Sequence, residues 1–182
     1  MIRIVTDSAA DLTAAELSAP GVFVVPLSVT FADGTTQLDD GTMTKDEFFV
    51  RLAEDSKLPR TSQPSPASFM QLYEDAAAAR DEVVVITIGQ KLSGTYQCAH
   101  LAAADVGLQA HIVDSEAASQ GEALLVREAV RLRDEEGLTA EEIAAVLEQF
   151  KKRVRIVAVV DSLKHLQKGG RLPAAVAIVG GA

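Results

Sequence analysis

The sequence has 182 residues, of which 48% are hydrophobic but only 4% aromatic, so its core must be built from Ala, Val, Leu and Ile. This length suits a single core, or one domain and the beginning of another. The formal net charge of −9 argues against nucleic acid or an anionic membrane surface as the main partner.

The chain begins with an apolar strand at residues 2–6 that ends in Asp7-Ser8, and a helical pattern follows. An apolar run followed by Asp-Ser returns at residues 112–115 and 159–162. These polar residues either cap the helices that follow or form a site where the carboxyl ends of parallel strands converge. The sequence leaves both interpretations open.

Residues 22–31 read as one extended segment, which Pro26 restricts to a sheet edge or a bulge. Thr44 and Glu47 have the spacing of a capping box, which predicts a helix ending near residue 54. The acidic residues around this box lack calcium-loop spacing, so we expect solvated loop carboxylates there and not a cation site.

Three prolines, at positions 59, 64 and 66, stiffen a segment that carries Thr61 and Ser62. A rigid loop would hold these hydroxyls ready for a ligand. Alternatively, the segment is a connector in which Ser65 caps the helix predicted at residues 67–79, with Pro66 at its first position.

The apolar strand predicted at residues 83–88 leads into a turn at residues 89–96 and then into a helix. This arrangement places backbone amides and the Ser93 hydroxyl at the positive end of the helix dipole, where an anion binds well. In the structural alternative, Ser93 caps the helix and Gly89 or Gly94 serves a tight turn. The spacing matches neither the Walker A motif nor the dinucleotide-binding glycine motif.

The remaining predicted elements are strands at 109–114 and 156–160 and helices at 116–136 and 139–152. Strands and helices alternate throughout, which predicts an α/β fold: a mostly parallel sheet with helices on both faces. We expect this domain to span residues 1–161, and residues 162–182 to be the start of a truncated second domain.

The three histidines are far apart in the sequence and none has metal-ligand spacing, so we assign no metal and no cofactor. No Gly-x-Ser-x-Gly elbow is present, which argues against a serine hydrolase. The remaining candidates for a binding site are the two hydroxyl-bearing segments and Arg171. Arg171 either binds an anion or pairs with acidic residues on the surface. Hydroxyls and helix-start amides suit a small anion such as a carboxylate.

The N-terminus enters a strand without a leader pattern, and no apolar run approaches the roughly 20 residues of a membrane span. The single cysteine, Cys98, excludes an internal disulfide and suits a reducing compartment. We expect it to be a small buried side chain and not a nucleophile. These observations predict a cytoplasmic protein with no membrane span.

Five segments together resemble the DegV family of fatty-acid-binding proteins, which includes the acyl carriers of the bacterial fatty acid kinase system. In chain order they are residues 5–12 (VTDSAADL), 61–65 (TSQPS), 92–97 (LSGTYQ), 113–115 (VDS), and 163–171 with LKHL and KGGR at its ends.

The resemblance implies the family's N-terminal α/β domain, the EDD fold, and a carrier that is not an enzyme. It implies that Thr61 and Ser93 hold the carboxylate of a fatty acid through their hydroxyls, with Ser62 and Gly94 adjacent and Arg171 near the head group. The acyl chain would lie in an apolar tunnel, and a separate DhaK/DhaL-like kinase subunit would phosphorylate the carboxylate with ATP. Family members continue into a second domain that completes the tunnel, beyond the last residue of this sequence.

Two other functions remain open on the residues alone. An enzyme acting on a small phosphorylated or carboxylated metabolite would use Arg60, Lys91 and Arg171 as anion clamps. A purely structural α/β module would depend on neither Thr61 nor Ser93 for any ligand-dependent property.

Overall fold

The computed structural model describes residues 1–55, 57–157, 159 and 164–171, without the side chains of residues 164 and 165. The chain divides into two compact units: Met1–Pro26 with Gln63–Ile156, and Leu27–Ser62 with Val157–Ala182. The domain boundary that we expect at residue 161 lies among residues outside this description and stays a prediction.

The described residues contain seven strands and seven α-helices. The strands are β1 (Ile2–Asp7), β2 (Val22–Val25), β3 (Ser28–Thr30), β4 (Thr36–Leu38), β5 (Arg60–Ser62), β6 (Glu82–Thr87) and β7 (Ala110–Asp114). The helices are α1 (Ala14–Leu17), α2 (Lys45–Glu54), α3 (Pro66–Ala79), α4 (Thr95–Val106), α5 (Gln120–Arg131), α6 (Ala140–Phe150) and α7 (Lys164–Lys168). None of these helices combines the length and the apolar composition that a membrane span requires.

Four parallel strands form the sheet of the first unit, in the order β2-β1-β6-β7. Alternate residues of the central strands enter two different cores. Ile4 and Val84 pack with α5 and α6, whereas Val5 and Val85 pack with α3 and α4. Each such buried side chain contributes about 1.5–3 kcal/mol. Because helices cover both faces, these strands have continuous apolar runs in the sequence, and the predicted α/β fold is confirmed.

The second unit contains a three-stranded antiparallel sheet in the order β4-β3-β5. Its helix α2 begins with the predicted capping box. The Thr44 hydroxyl accepts a hydrogen bond from the Glu47 amide at 3.2 Å, and the Glu47 carboxylate accepts one from the Thr44 amide at 2.7 Å. The guanidinium of Arg51 lies 3.6 Å from the centre of the Phe31 ring, a cation–π contact within this unit.

The structure corrects three local predictions. Residues 22–31 form two strands of two different sheets and not one segment, although β2 lies at a sheet edge as predicted. Arg60–Ser62 is a strand and not a loop, since β3 provides an antiparallel partner for it. The helix predicted from residue 116 begins only at Gln120, because residues 116–119 form a loop in which Glu116 and Ser119 have positive φ angles (54° and 53°).

One further expectation is met in part, and another is not met at the described residues. Ser65 stands at the N-cap of α3 with Pro66 after it, but its hydroxyl lies 3.0 Å from the Ser68 hydroxyl and bonds no backbone amide of the helix. The strand predicted at residues 156–160 is absent at 156, 157 and 159, and Val157 and Val159 are more than 90% exposed without the burial that would stabilise a strand. Residues 158 and 160 lie outside the description, as does the third Asp-Ser pair at 161–162.

Candidate functional site

The segment that connects β6 to α4, residues 88–94, carries the predicted anion site and is called here the Ser93 turn. The structural alternative has Ser93 as the helix cap, but Gly94 occupies that position, with no side-chain capping bond. The Ser93 hydroxyl is partly exposed and lies 2.9 Å from the hydroxyl of Thr95. The structural interpretation, in which Ser93 caps the helix, is therefore wrong.

The first amides of α4 follow Ser93 closely in the chain. In the described part of the chain, the backbone N–H groups of residues 95–97 have no hydrogen-bond acceptor, and the first amide with one is that of Cys98. Unpaired amides at the start of a 12-residue helix carry a partial positive charge. Together with the Ser93 hydroxyl they form a group of donors that suits a carboxylate or another small anion.

Three successive amides at the start of the Ser93 turn are held by three different segments. The Ile88 amide donates to Asp7 at the end of β1 (2.8 Å), the Gly89 amide to the Ala117 carbonyl (2.8 Å), and the Gln90 amide to Asp114 at the end of β7 (3.1 Å). Gly89 is close to the backbone of residues 116–117, and a Cβ there would lie about 3.2 Å from it. The turn is therefore fixed before α4 begins.

Of the two described Asp-Ser strand ends, the first caps a helical turn, and the carboxylates of both bind the Ser93 turn. Asp7 caps the short 3₁₀ turn Ser8–Ala10 by accepting from the Ala9 amide at 3.0 Å, and it also accepts from Ile88. Asp114 accepts from the Glu116 amide at 3.0 Å and also from Gln90. These carboxylates thus converge at the carboxyl edge of the parallel sheet, as expected for this topology.

A buried carboxyl that sequence reasoning missed, Glu122 on α5, lies beside these strand ends. Its Oε1 accepts from the Thr6 hydroxyl at 2.9 Å, while its Oε2 has no partner among the described residues. Burial, and next the charge of Asp7, raise the pKa of the Glu122 carboxyl to about 10. At neutral pH Glu122 is consequently an uncharged acid.

The spacing of the sequence contained a signal for Glu122. Its position precedes those of Leu125, Val126 and Ala129 by three, four and seven residues, which places it on the apolar face of α5.

No group of three or more metal-binding side chains converges within the described ranges.

Gly94 makes room for the side chain of Gln63, the residue that follows Thr61-Ser62 in the sequence. A Cβ on Gly94 would lie 2.2 Å from Gln63 Oε1, and Gln63 Nε2 lies 2.9 Å from the sulfur of Cys98. Cys98 is 5% exposed, which confirms the expectation of a small buried side chain. Part of the segment 61–65 is thus in contact with the Ser93 turn through Gln63.

The other predicted site residues belong to the second unit. Thr61 and Ser62 lie on β5, where they are exposed and paired with Val29 and Ser28 of β3. Arg171 is exposed, and its guanidinium donates to the Gly169 carbonyl at 2.5 Å. The joint action of these residues with Ser93 and Gly94 on one ligand stays a prediction.

The sequence is similar to a known protein family. A family model described as "Uncharacterised protein, DegV family" matches residues 1–182. A DegV domain-containing protein of Caldanaerobacter subterraneus is 38% identical over 181 residues, which cover 99% of this chain and 64% of that protein.

Two solved structures resemble the chain closely. A DegV family protein from Thermus thermophilus, described for its fatty acid binding, is 39% identical with a TM-score of 0.86, over 99% of this chain and 64% of that one. The fatty acid kinase B3 protein of Streptococcus pneumoniae, loaded with linoleic acid, is 25% identical with a TM-score of 0.84, over 98% of this chain and 64% of that one. The chain thus spans just under two thirds of the length of each of these relatives.

Proposed function

The chain belongs to the DegV family, whose model matches it from end to end, and from this premise we propose that it binds a long-chain fatty acid and presents the carboxylate to a partner kinase. The observation that carries the proposal is the fatty acid binding of the Thermus thermophilus relative, whose aligned sequence is 39% identical and covers 99% of this chain. The proposal concerns the whole protein as well as this chain, because the relatives are longer.

The Ser93 turn supports the ionised carboxylate as the group that is recognised. The Ser93 hydroxyl and the unpaired amides of residues 95–97 are all donors, and an ionised carboxylate is an acceptor only. We assign the second hydroxyl to Thr61, with Ser62 and Gly94 beside the head group and Arg171 as a nearby cation. Buried apolar side chains of the Ala, Val, Leu and Ile types would line the acyl chain.

We assign the chemistry on the carboxylate to a separate kinase with a DhaK/DhaL-like subunit, which transfers a phosphoryl group from ATP to the bound acid. The similarity to a protein named for the fatty acid kinase of Streptococcus pneumoniae supports this assignment. A cytoplasmic location follows from it, because ATP and a reduced Cys98 both belong to that compartment.

The proposal is tested by extracting purified protein with organic solvent and identifying the lipids by mass spectrometry. We expect long-chain fatty acids from the wild type and a strong reduction from Ser93→Ala and from Thr61→Ala. Ser18→Ala and Thr36→Ala are matched controls, since each removes an exposed hydroxyl outside the proposed site. Folded wild-type protein that yields no fatty acid, and that fails to bind a dansyl-labelled fatty acid, would contradict the proposal.

The kinase step has its own assay. Incubation of the loaded protein with ATP and a purified fatty acid kinase, in the presence of hydroxylamine, converts any acyl phosphate into a stable hydroxamate. We expect the hydroxamate only when both proteins are present. A metabolite such as a sugar phosphate that raises the melting temperature, when fatty acids do not, would favour the metabolite enzyme instead.

A further inference from the structure

The hydroxyl of Thr95, the first residue of α4, contacts the hydroxyl of Ser93. Its side chain is fully buried, and among the described residues its Oγ1 has one hydrogen-bond partner, the Ser93 hydroxyl at 2.9 Å. Thr87, another fully buried threonine, has a hydroxyl with no partner in the same part of the chain. Burial alone therefore does not give a threonine hydroxyl a hydrogen-bond partner in this part of the chain.

Burial favours one of the two directions that this hydrogen bond can take. Each carries one proton, so only one of them can donate to the other. The buried Thr95 has no other acceptor among the described residues, and leaving a buried donor unpaired is unfavourable. Ser93 is partly exposed, so its own proton can reach water or a ligand. Donation from Thr95 to Ser93 Oγ is therefore the direction that leaves no buried proton unpaired.

We propose that Thr95 is a positioning residue for the carboxylate: by donating to Ser93 Oγ it turns the Ser93 proton outward, toward the head group. This inference rests on the proposed function, since Ser93 is the residue that touches the ligand. A hydroxyl that accepts one hydrogen bond becomes a better donor of the next, so the chain Thr95–Ser93–carboxylate strengthens itself. The bond also restricts the rotation of the Ser93 side chain before any ligand arrives.

The test uses two variants that have nearly the same shape. Thr95→Val removes only the hydroxyl, and Thr95→Ser keeps it. We expect Thr95→Val to weaken the binding of palmitate by about fivefold, the effect of one hydrogen bond, and Thr95→Ser to recover most of that affinity. Binding of 1-hexadecanol, which has the same chain without the charge, should change less.

A double-mutant cycle distinguishes positioning from a general structural effect. If Thr95 acts through Ser93, Thr95→Val has no further effect on palmitate affinity in a Ser93→Ala background. An equal loss with and without the Ser93 hydroxyl would overturn the proposal, and so would a Thr95→Val protein that binds palmitate like the wild type.

A measurement without ligand separates this inference from the proposed function. NMR couplings of the Ser93 β-protons should indicate one side-chain rotamer in the wild type and in Thr95→Ser, and an average of several in Thr95→Val. A single unchanged rotamer in Thr95→Val overturns the inference. If palmitate does not bind the wild type, the proposed function fails, and the rotamer measurement still decides whether Thr95 orients Ser93.

Discussion

The Asp7 carboxylate, at the end of β1, accepts a hydrogen bond of 2.8 Å from the backbone amide of Ile88, which lies 81 positions further along the chain. Its second oxygen accepts from the Ala9 amide at 3.0 Å. One side chain thus joins the end of the first strand to the Ser93 turn. The conformation of the proposed carboxylate site depends on this bond and on the matching bond from Gln90 to Asp114.

Replacing Asp7 by Asn should loosen the Ser93 turn. Asn has one acceptor oxygen and one amide donor, so it keeps only one of the two bonds and faces a backbone N–H with another donor. We expect a loss of about 1–3 kcal/mol in the free energy of unfolding and faster hydrogen exchange at Ile88. Chemical denaturation and exchange NMR measure both quantities, and the exposed Asp105→Asn is the control. An unchanged Ile88 exchange rate would show that Asp7 does not hold the turn.

Glu122 should make the protein less stable as the pH rises. Its folded-state pKa of about 10 lies above the ordinary value of 4.5 because of burial and of the charge of Asp7. The folded state keeps a proton that the unfolded state releases, so stability is full below about pH 4.5 and declines until about pH 10. The accumulated loss is about 3 kcal/mol at pH 7.

Glu122→Gln removes this titration while leaving an oxygen for the Thr6 hydroxyl. We expect the variant to gain stability over the wild type between pH 5 and pH 9, and the gain to increase with pH. Urea denaturation at several pH values measures it, with the exposed Glu141→Gln as the control. Parallel pH profiles for wild type and Glu122→Gln would mean that Glu122 is ionised in the folded protein.

Gly94→Ala tests the contact between the Ser93 turn and Gln63. The backbone angle of Gly94 (φ −82°) is accessible to any residue, so the cost of the substitution comes from space alone. The new Cβ would lie 2.2 Å from Gln63 Oε1, and the displaced side chain would leave the Cys98 sulfur. We expect a loss of about 1 kcal/mol and weaker fatty acid binding.

The matched control for this substitution is the pair Gly94→Ala with Gln63→Ala, in which the clash is absent. Its stability should equal that of Gln63→Ala alone. If Gly94→Ala is as stable as the wild type and a crystal structure has Gln63 in its original position, the contact does not account for the glycine.

The Glu16 carboxylate should stabilise the folded protein by an amount that decreases as the pH falls. Hydrogen bonds from Arg127 and then from Thr13 lower the pKa of Glu16 to about 2. The stabilisation is therefore full above pH 4.5 and is lost as the pH falls toward 2. Because the side chains of Glu16 and Arg127 are both partly exposed, we expect their ion pair to contribute only about 1 kcal/mol to the free energy of unfolding.

Glu16→Gln still fits the capping box with Thr13, but it should flatten the decline in stability between pH 4.5 and pH 2. Denaturation at pH 2.5, 4 and 6 measures this change, and Glu54→Gln is the control. A variant that is destabilised equally at all three pH values would rule out a titrating ion pair.

The alternating pattern of the sequence was sufficient to predict the α/β fold, because the strands of a doubly covered sheet are continuous apolar runs. The capping boxes at Thr44 and Thr139 were also predictable, since both partners lie within one helical turn. The second sheet was not, because β4 and β5 have three residues each and their exposed side chains give no periodic signal.

The site was predictable only in its local part. Ser93, Gly94 and the helix start follow from one continuous stretch of sequence. The partners of the turn do not, since Asp7 and Asp114 reach it from strands that are distant in the chain and adjacent only in the sheet. Glu122 was missed because its charge outweighed its position on the apolar face of α5.

The position of β1 between β2 and β6 has a consequence for biosynthesis. While the ribosome is still making the first eighty residues, the N-terminal strand has a neighbour on one side only, because its other edge pairs with Glu82–Ile86. The nascent chain therefore exposes an unpaired apolar edge until β6 emerges. The Ser93 turn needs still more of the chain, because two of its amides donate to Asp114 and to the Ala117 carbonyl, which emerge after β6.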